Sequence, residues 1–271
     1  MLTLLMVMLF LVGKKCTGKK ARVVYFFLTG QYLCMKLKIL IGLTLLCACY
    51  LIVVGVMYGL QNRLTFFPDI AESRAPEDFP QQHFKKITLT TKDNVTLQGV
   101  RAHPLRPNQP NVVFFGGNAQ NLTRFAGFLR TALPQVNLVG FNYRGFGESA
   151  GTPTKKHLLQ DVHPVALWVR AHMPATPTYS LGLSLGTGPA TKYAALTNTA
   201  GLFLVMPYDT LANVAKDSYP WLPVHSLLTN NVQTTQFMAD YGGKVAIIVG
   251  AADDLIKPER SKALAAHAQN L

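Results

Sequence analysis

Residues 39–60, ILIGLTLLCACYLIVVGVMYGL, contain no charged side chain. A helix rises about 1.5 Å per residue, so roughly 20 apolar residues cross the hydrocarbon core of a bilayer. The stretch is therefore predicted to be a transmembrane helix. That assignment leaves about 200 residues, enough for one hydrophobic core and one domain. Lys36 and Lys38 precede the stretch, whereas Arg63 follows it with Asp69 and Glu72 close behind. Positive charge is retained on the cytoplasmic side, so the N-terminus is expected in the cytoplasm and the domain outside.

The chain ahead of the anchor reads differently. Met35-Lys36-Leu37-Lys38 resembles a natural start, a short basic region followed by an apolar run. Residues 1–34 are accordingly expected to be an over-extended start. Leu46-Cys47-Ala48-Cys49 resembles a lipobox with Cys49 as the lipidated residue. A lipoprotein turns polar after that cysteine, but here the chain stays apolar through Leu60, which favours the anchor.

The formal net charge is +13. Lys14, Lys15, Lys19, Lys20 and Arg22 contribute five of these charges before residue 35, with no acid among them. The remaining excess is expected to be a solvated surface, because no interleaving of aromatic and basic residues marks a nucleic-acid groove. All four cysteines precede residue 50. The folded domain thus has neither a disulfide nor a Cys/His cluster to hold zinc, and no cofactor is expected.

Residues 61–83 read as a polar connector. A hairpin follows, Phe84–Thr91 and Val95–His103, turning at Lys92-Asp93-Asn94. Val112–Phe115 is a short apolar run of the kind buried on both faces of a sheet. The expected order then runs helix Leu122–Ala132, strand Val136–Asn142, helix Lys155–His172, strand Tyr179–Leu183, helix Thr187–Leu196, strand Gly201–Val205 and strand Val245–Val249. The chain from about Pro258 is expected to be helical. Repeated β–α units predict a mostly parallel sheet with helices on both faces. Residues 207–243 are longer than a plain crossover and are expected to hold a small lid.

Gly182-Leu183-Ser184-Leu185-Gly186 fits G-x-S-x-G between a strand and a helix of small residues. A sharp turn there lifts the serine hydroxyl above the sheet, and the flanking glycines let backbone and helix approach closely. Gly116-Gly117-Asn118-Ala119 follows the strand ending at Phe115. A serine attacking an ester generates an oxyanion, which requires two preorganised N–H groups. The expected donors are the backbone amides of Leu185 and Asn118.

These segments resemble the α/β-hydrolase superfamily, and within it a small membrane-anchored branch described as serine-aminopeptidase-like or acyl-thioesterase-like. The resemblance rests on GGNAQN from Gly116, YRGFGESAG from Tyr143, GLSLG from Gly182 and GAADDLIKP from Gly250, in the family order. It implies the α/β-hydrolase fold, with Asp253 as the acid of a serine triad and Asp254 as the neighbouring alternative. Gly116 stands where the family usually has histidine. Arg144 and Glu148 belong to a loop expected to brace the site.

In this fold the triad runs serine, acid, histidine. Only His267 lies beyond Asp253. A helix from Pro258 carries it roughly 15 Å from the sheet edge, beyond the reach of a general base. The last strand and its histidine are therefore expected to be missing from this chain. His225 in the lid is the substitute candidate. His157 and His163 lie in a helix, and His83, His103 and His172 have no positional argument. The expected function is a serine hydrolase of carboxylic esters or thioesters with a small-molecule or lipid-like acyl substrate. The alternative is a catalytically impaired, tethered protein with the same pocket. Asn94-Val95-Thr96 and Asn121-Leu122-Thr123 match the glycosylation sequon.

Overall fold

The computed structural model describes residues 19–68, 70 and 82–271. The apolar run 1–12, Lys14, Lys15 and most of the expected connector lie outside these residues. Compact units divide between Met57 and Tyr58. Helix α1 spans Lys19–Thr65. Within it, the span Gly30–Thr65 contains an 18-residue stretch with a mean hydropathy of 2.7 and is long and apolar enough to cross a membrane once. Its apolar side chains point outward all round, Leu45 at 61% and Leu51 at 66% exposure among them. A helix that is apolar on every side needs an apolar solvent.

The second unit is a seven-stranded sheet in the order β1-β2-β4-β3-β5-β6-β7. The strands are β1 Phe84–Thr90, β2 Thr96–Ala102, β3 Asn111–Phe115, β4 Asn137–Phe141, β5 Thr178–Leu183, β6 Gly201–Val205 and β7 Val245–Ile248. The β1–β2 and β2–β4 pairs are antiparallel and all others are parallel. The first hairpin turns where expected, with Asn94 in the left-handed region at φ 59°, a conformation that asparagine tolerates. Asn94 is exposed, whereas Asn121 of the second sequon is buried and caps a helix.

Every residue of β3 and β4 is buried, as central parallel strands require. Alternate side chains serve opposite faces. Val112 and Phe114 pack with Leu122, Leu129 and Leu138, under α2 (Leu122–Ala132). Val113 and Phe115 pack with Val165, Val169 and Tyr193 on the other face. That second face is covered by α4 (Val162–His172) and α5 (Thr187–Thr197).

The single helix expected over Lys155–His172 is two. α3 spans Lys155–Gln160 and α4 starts at Val162. Pro164 lacks the N–H that would reach the Gln160 carbonyl, and its ring crowds that oxygen. The excursion 207–243 holds three short helices, α6 Leu211–Ser218, α7 Val224–Leu227 and α8 Thr234–Ala239. Arg260 of α9 (Pro258–Ala265) ties the excursion down through Asp209 at 3.2 Å and Asp217 at 2.8 Å. The free edge of β7 exposes Ile248 (62%), and one parallel bridge pairs Lys244 with Asn270 along it.

Candidate active site

Ser184 stands at the carboxyl end of β5. Its φ is 50°, a left-handed conformation that costs a non-glycine residue about 1–3 kcal/mol. A single 3-10 turn, Ser184–Gly186, links it to α5. The elbow is held by Thr187, whose Oγ1 donates to the Ser184 carbonyl at 2.7 Å. Gly186 presses on the end of β3: a Cβ there would sit 2.1 Å from the Phe115 carbonyl oxygen and 2.4 Å from that of Gly116. Gly182 faces α5 in the same way, 2.7 Å from Ala190 Cβ.

The loop after β3 lies directly over the elbow. A Cβ on Gly117 would stand 3.5 Å from Ser184 Cβ. The Gly117 N–H is taken by Gln120 Oε1 at 2.6 Å. Leu185 N–H sits in the first turn of the helical segment, where backbone donors have no intrahelical partner. Tyr208 donates to the Leu185 carbonyl at 3.2 Å, and Tyr143 donates to the Gly116 carbonyl at 2.7 Å. Burial pushes both phenols up, so they remain protonated donors at neutral pH.

Asn118 does more than the sequence suggested. Its Nδ2 donates to the Thr65 carbonyl at 2.7 Å, and its Oδ1 accepts from Phe67 N–H at 3.0 Å. The side chain thus clamps the segment leaving α1. Phe66, assigned to the polar connector by sequence, is 2% exposed and packs with Leu185, Tyr208 and Ile256. Neither role had a local signal, because both depend on contacts across more than fifty positions. Gln120 did have one, as part of the GGNAQN segment.

Asp253 lies in the loop after β7, on the carboxyl edge of the sheet that also carries Ser184. Its Oδ1 accepts from Leu255 N–H at 2.9 Å and Ile256 N–H at 2.8 Å, leaving Oδ2 outside that turn. Asp254 is exposed. One strand, β6, separates β5 from β7. The strand ends are then about 10 Å apart, which leaves room for a bridging side chain.

Among the described residues, no histidine hydrogen-bonds to Ser184 or Asp253. His267 is exposed, with Nδ1 on the Ala263 carbonyl at 3.0 Å. His157 Nδ1 lies 2.9 Å from the Thr152 carbonyl, and His172 stacks on Trp168. His225 and His163 are exposed. His83 and His103 flank the antiparallel hairpin.

Arg144 is 3% exposed and holds two carboxylates. Its Nε and one terminal nitrogen meet Asp161 at 2.8 and 2.7 Å, and Asp93 is gripped at 2.6 and 2.9 Å. The guanidinium holds the Asp93 carboxyl well below the usual carboxylate range. Glu148 pairs with Lys86 at 2.7 Å, and that contact with Gln98 lowers its pKa too. A hollow of about 730 Å³ opens at the amino ends of β3 and β5, beside Asn111 and Thr178, at the opposite end of the strands from Ser184.

A family model of the alpha/beta hydrolase fold matches residues 110–232. An uncharacterised protein of Mycobacterium tuberculosis (strain CDC 1551 / Oshkosh) is 30% identical over 223 residues, covering 80% of this chain and 78% of its own. The lysophosphatidylserine lipase ABHD12 of Macaca fascicularis is 34% identical over 201 residues, 62% of this chain; the chain spans 50% of that relative's length. Among solved structures, the Pyrococcus furiosus esterase Pf2001 superposes with a TM-score of 0.55 at 18% identity, covering 72% of this chain and 82% of the esterase. Sheet order, elbow, family match and relatives agree: the chain belongs to the α/β-hydrolase superfamily.

Proposed function

We propose that the protein is a membrane-anchored serine hydrolase that cleaves carboxylic esters or thioesters through an acyl-enzyme on Ser184. The observation that carries this reading is the strained Ser184 elbow with the Gly116–Asn118 loop packed against it. Ser184 Oγ attacks the acyl carbon, and the carbonyl electrons move onto oxygen. The amides of Leu185 and Asn118 donate hydrogen bonds to that oxyanion, aided by the N-terminus of α5. Collapse breaks the bond to the leaving oxygen or sulfur, which takes up the proton lost from the Ser184 hydroxyl and departs as the alcohol or thiol; water then attacks the acyl-Ser184 ester, releasing the carboxylic acid and restoring the hydroxyl. Asp253 is the acid that would orient an imidazole and stabilise its cation. The lipase named among the relatives supports a lipid-like acyl substrate. Lys36 and Lys38 support an N-terminus in the cytoplasm and the hydrolase unit outside.

The placement of the histidines favours a second reading, a hydrolase-like pocket without efficient turnover. Serine without a base is a poor nucleophile, although oxyanion donors alone leave roughly 10³–10⁴-fold catalysis over water. Labelling by a fluorophosphonate separates the two. The full-length chain in detergent is expected to label at Ser184, and Ser184→Ala to lose all labelling. A wild-type chain that stays unlabelled sinks the hydrolase reading.

A further inference from the structure

Residues 65–67, the segment leaving α1, meet three parts of the site at once. The Asn118 side chain bridges the Thr65 carbonyl at 2.7 Å and the Phe67 N–H at 3.0 Å. Phe66 is 2% exposed, in one apolar cluster with Leu185, the residue after Ser184, and with Ile256. Ile256 in turn donates its N–H to Asp253 at 2.8 Å. We infer that this strap positions the oxyanion donors, with Phe66 and the Asn118 side chain as positioning residues for the reaction at Ser184. This role rests on the serine-hydrolase reading and names what holds its two donors in register.

The two donors come from separate segments, Leu185 from the elbow and Asn118 from the loop after β3. Their spacing, which must hold to within about 0.5 Å, is set by what bridges them. The loop does not hold itself. Ala119 takes φ 60°, a left-handed conformation that persists in a non-glycine residue only where surrounding contacts over-determine it. Gln120 takes the Gly117 N–H at 2.6 Å, which leaves the next amide, that of Asn118, as the donor from the loop. The Thr65 carbonyl can only accept and the Phe67 N–H can only donate, so the Asn118 side chain has one orientation and its backbone is held with it.

The strap is itself pinned. Gln61 Oε1 accepts from Thr229 N–H at 2.8 Å, Asn62 bonds to Asn230, and Phe66 N–H donates to the Asn62 carbonyl at 2.9 Å. The chain from Tyr58 onward groups with the hydrolase unit. Tyr208, in the same cluster as Phe66, donates to the Leu185 carbonyl from the other side. Removing the Phe66 ring would leave a void in the cluster that holds Leu185 and Ile256, and the surrounding segments would relax into it. Thr65 lies only five positions after the uncharged stretch 39–60, so the exit from the membrane segment is itself part of the site.

Two readouts on the full chain in detergent test the role: the rate of fluorophosphonate labelling per folded molecule, and amide hydrogen exchange. In labelling, Ser184 Oγ displaces fluoride from phosphorus, and the phosphoryl oxygen takes the oxyanion position. Phe66→Ala and Asn118→Ala are each expected to slow labelling on the order of 100-fold, the cost of a misplacement of about 1 Å. Phe66→Met, which keeps the bulk, should recover to within about tenfold of wild type. In the alanine variants, exchange should quicken about tenfold in peptides covering 116–121 and 183–188 and stay at the wild-type rate in the β1–β2 hairpin. A role in stability alone would lower Tm and leave the labelling rate of folded protein unchanged. Wild-type labelling rates in both alanine variants, or exchange quickened equally in hairpin and loop, would overturn the assignment. Should Phe66→Ala fail to fold, Asn118→Ala, at a half-buried position, carries the test. If the wild type does not label, the hydrolase reading falls, and the exchange map still decides whether the strap holds the loop.

Discussion

Arg144→Ala is expected to destabilise the hydrolase unit by about 3 kcal/mol, the low end of what breaking a buried ion pair costs. For a domain of this size that lowers Tm by about 6–12 °C. The cost falls mainly on Asp161, whose side chain is 11% exposed and would be left charged without its partner. Asp93 is about half exposed and rehydrates more cheaply. Arg144→Lys should fall between wild type and alanine, since an ammonium keeps the charge but cannot fork to two carboxylates. The pH dependence has a definite sign. The Arg144 guanidinium holds the folded-state pKa of Asp93 below its ordinary value of 3.8. Its pairing therefore stabilises the fold above that value and is lost as the pH falls through the folded pKa. The Tm gap between wild type and Arg144→Ala should be full at neutral pH and shrink below about pH 4. Calorimetry of the two proteins across that range checks both statements. A gap under 2 °C at neutral pH would mean that the clamp does not brace the fold.

What was legible in the sequence follows the range of the interaction. Strands β3 to β6 could be read because short apolar runs between turn signals are a local property. The elbow could be read because Gly182 and Gly186 must lack a Cβ for reasons set within a few residues of Ser184 or at the adjacent strand end. The break at Asp161 was missed although Pro164 stood in plain view, because helical periodicity on both sides outweighed a single residue. Phe66 was misread for the opposite reason. It follows Gln-Asn-Arg-Leu-Thr, a polar context, and is buried only through contact with Leu185, Tyr208 and Ile256. Arg144 was read as part of a loop that braces the site; its partners lie 51 and 17 positions away, and no pattern names them. Residues 207–243 were beyond derivation because each of their helices is too short to show a period.

Gly186→Ala is expected to disable the site and weaken the fold together. The added Cβ meets backbone atoms of Phe115 and Gly116, not the flexible tip of a side chain. β3 cannot yield easily, since it pairs with β4 on one side and β5 on the other. The elbow must therefore lift or the Gly116–Asn118 loop must shift, and either motion separates Ser184 from the proposed oxyanion donors, Leu185 and Asn118. A displacement of about 1 Å costs on the order of 100-fold in rate, so fluorophosphonate labelling should slow by at least that factor. Overpacking of this kind costs about 1–3 kcal/mol, a Tm loss of about 2–12 °C. Gly117→Ala is the matched control. Its Cβ would meet Gln120 Oε1 and Leu183 O at 3.4 Å and Ser184 Cβ at 3.5 Å, ordinary contact distances. Its stability should stay within about 0.5 kcal/mol of wild type. If Gly186→Ala melts with the wild type, β3 and the elbow do not press together as described, and the geometric case for Ser184 as the nucleophile fails with them.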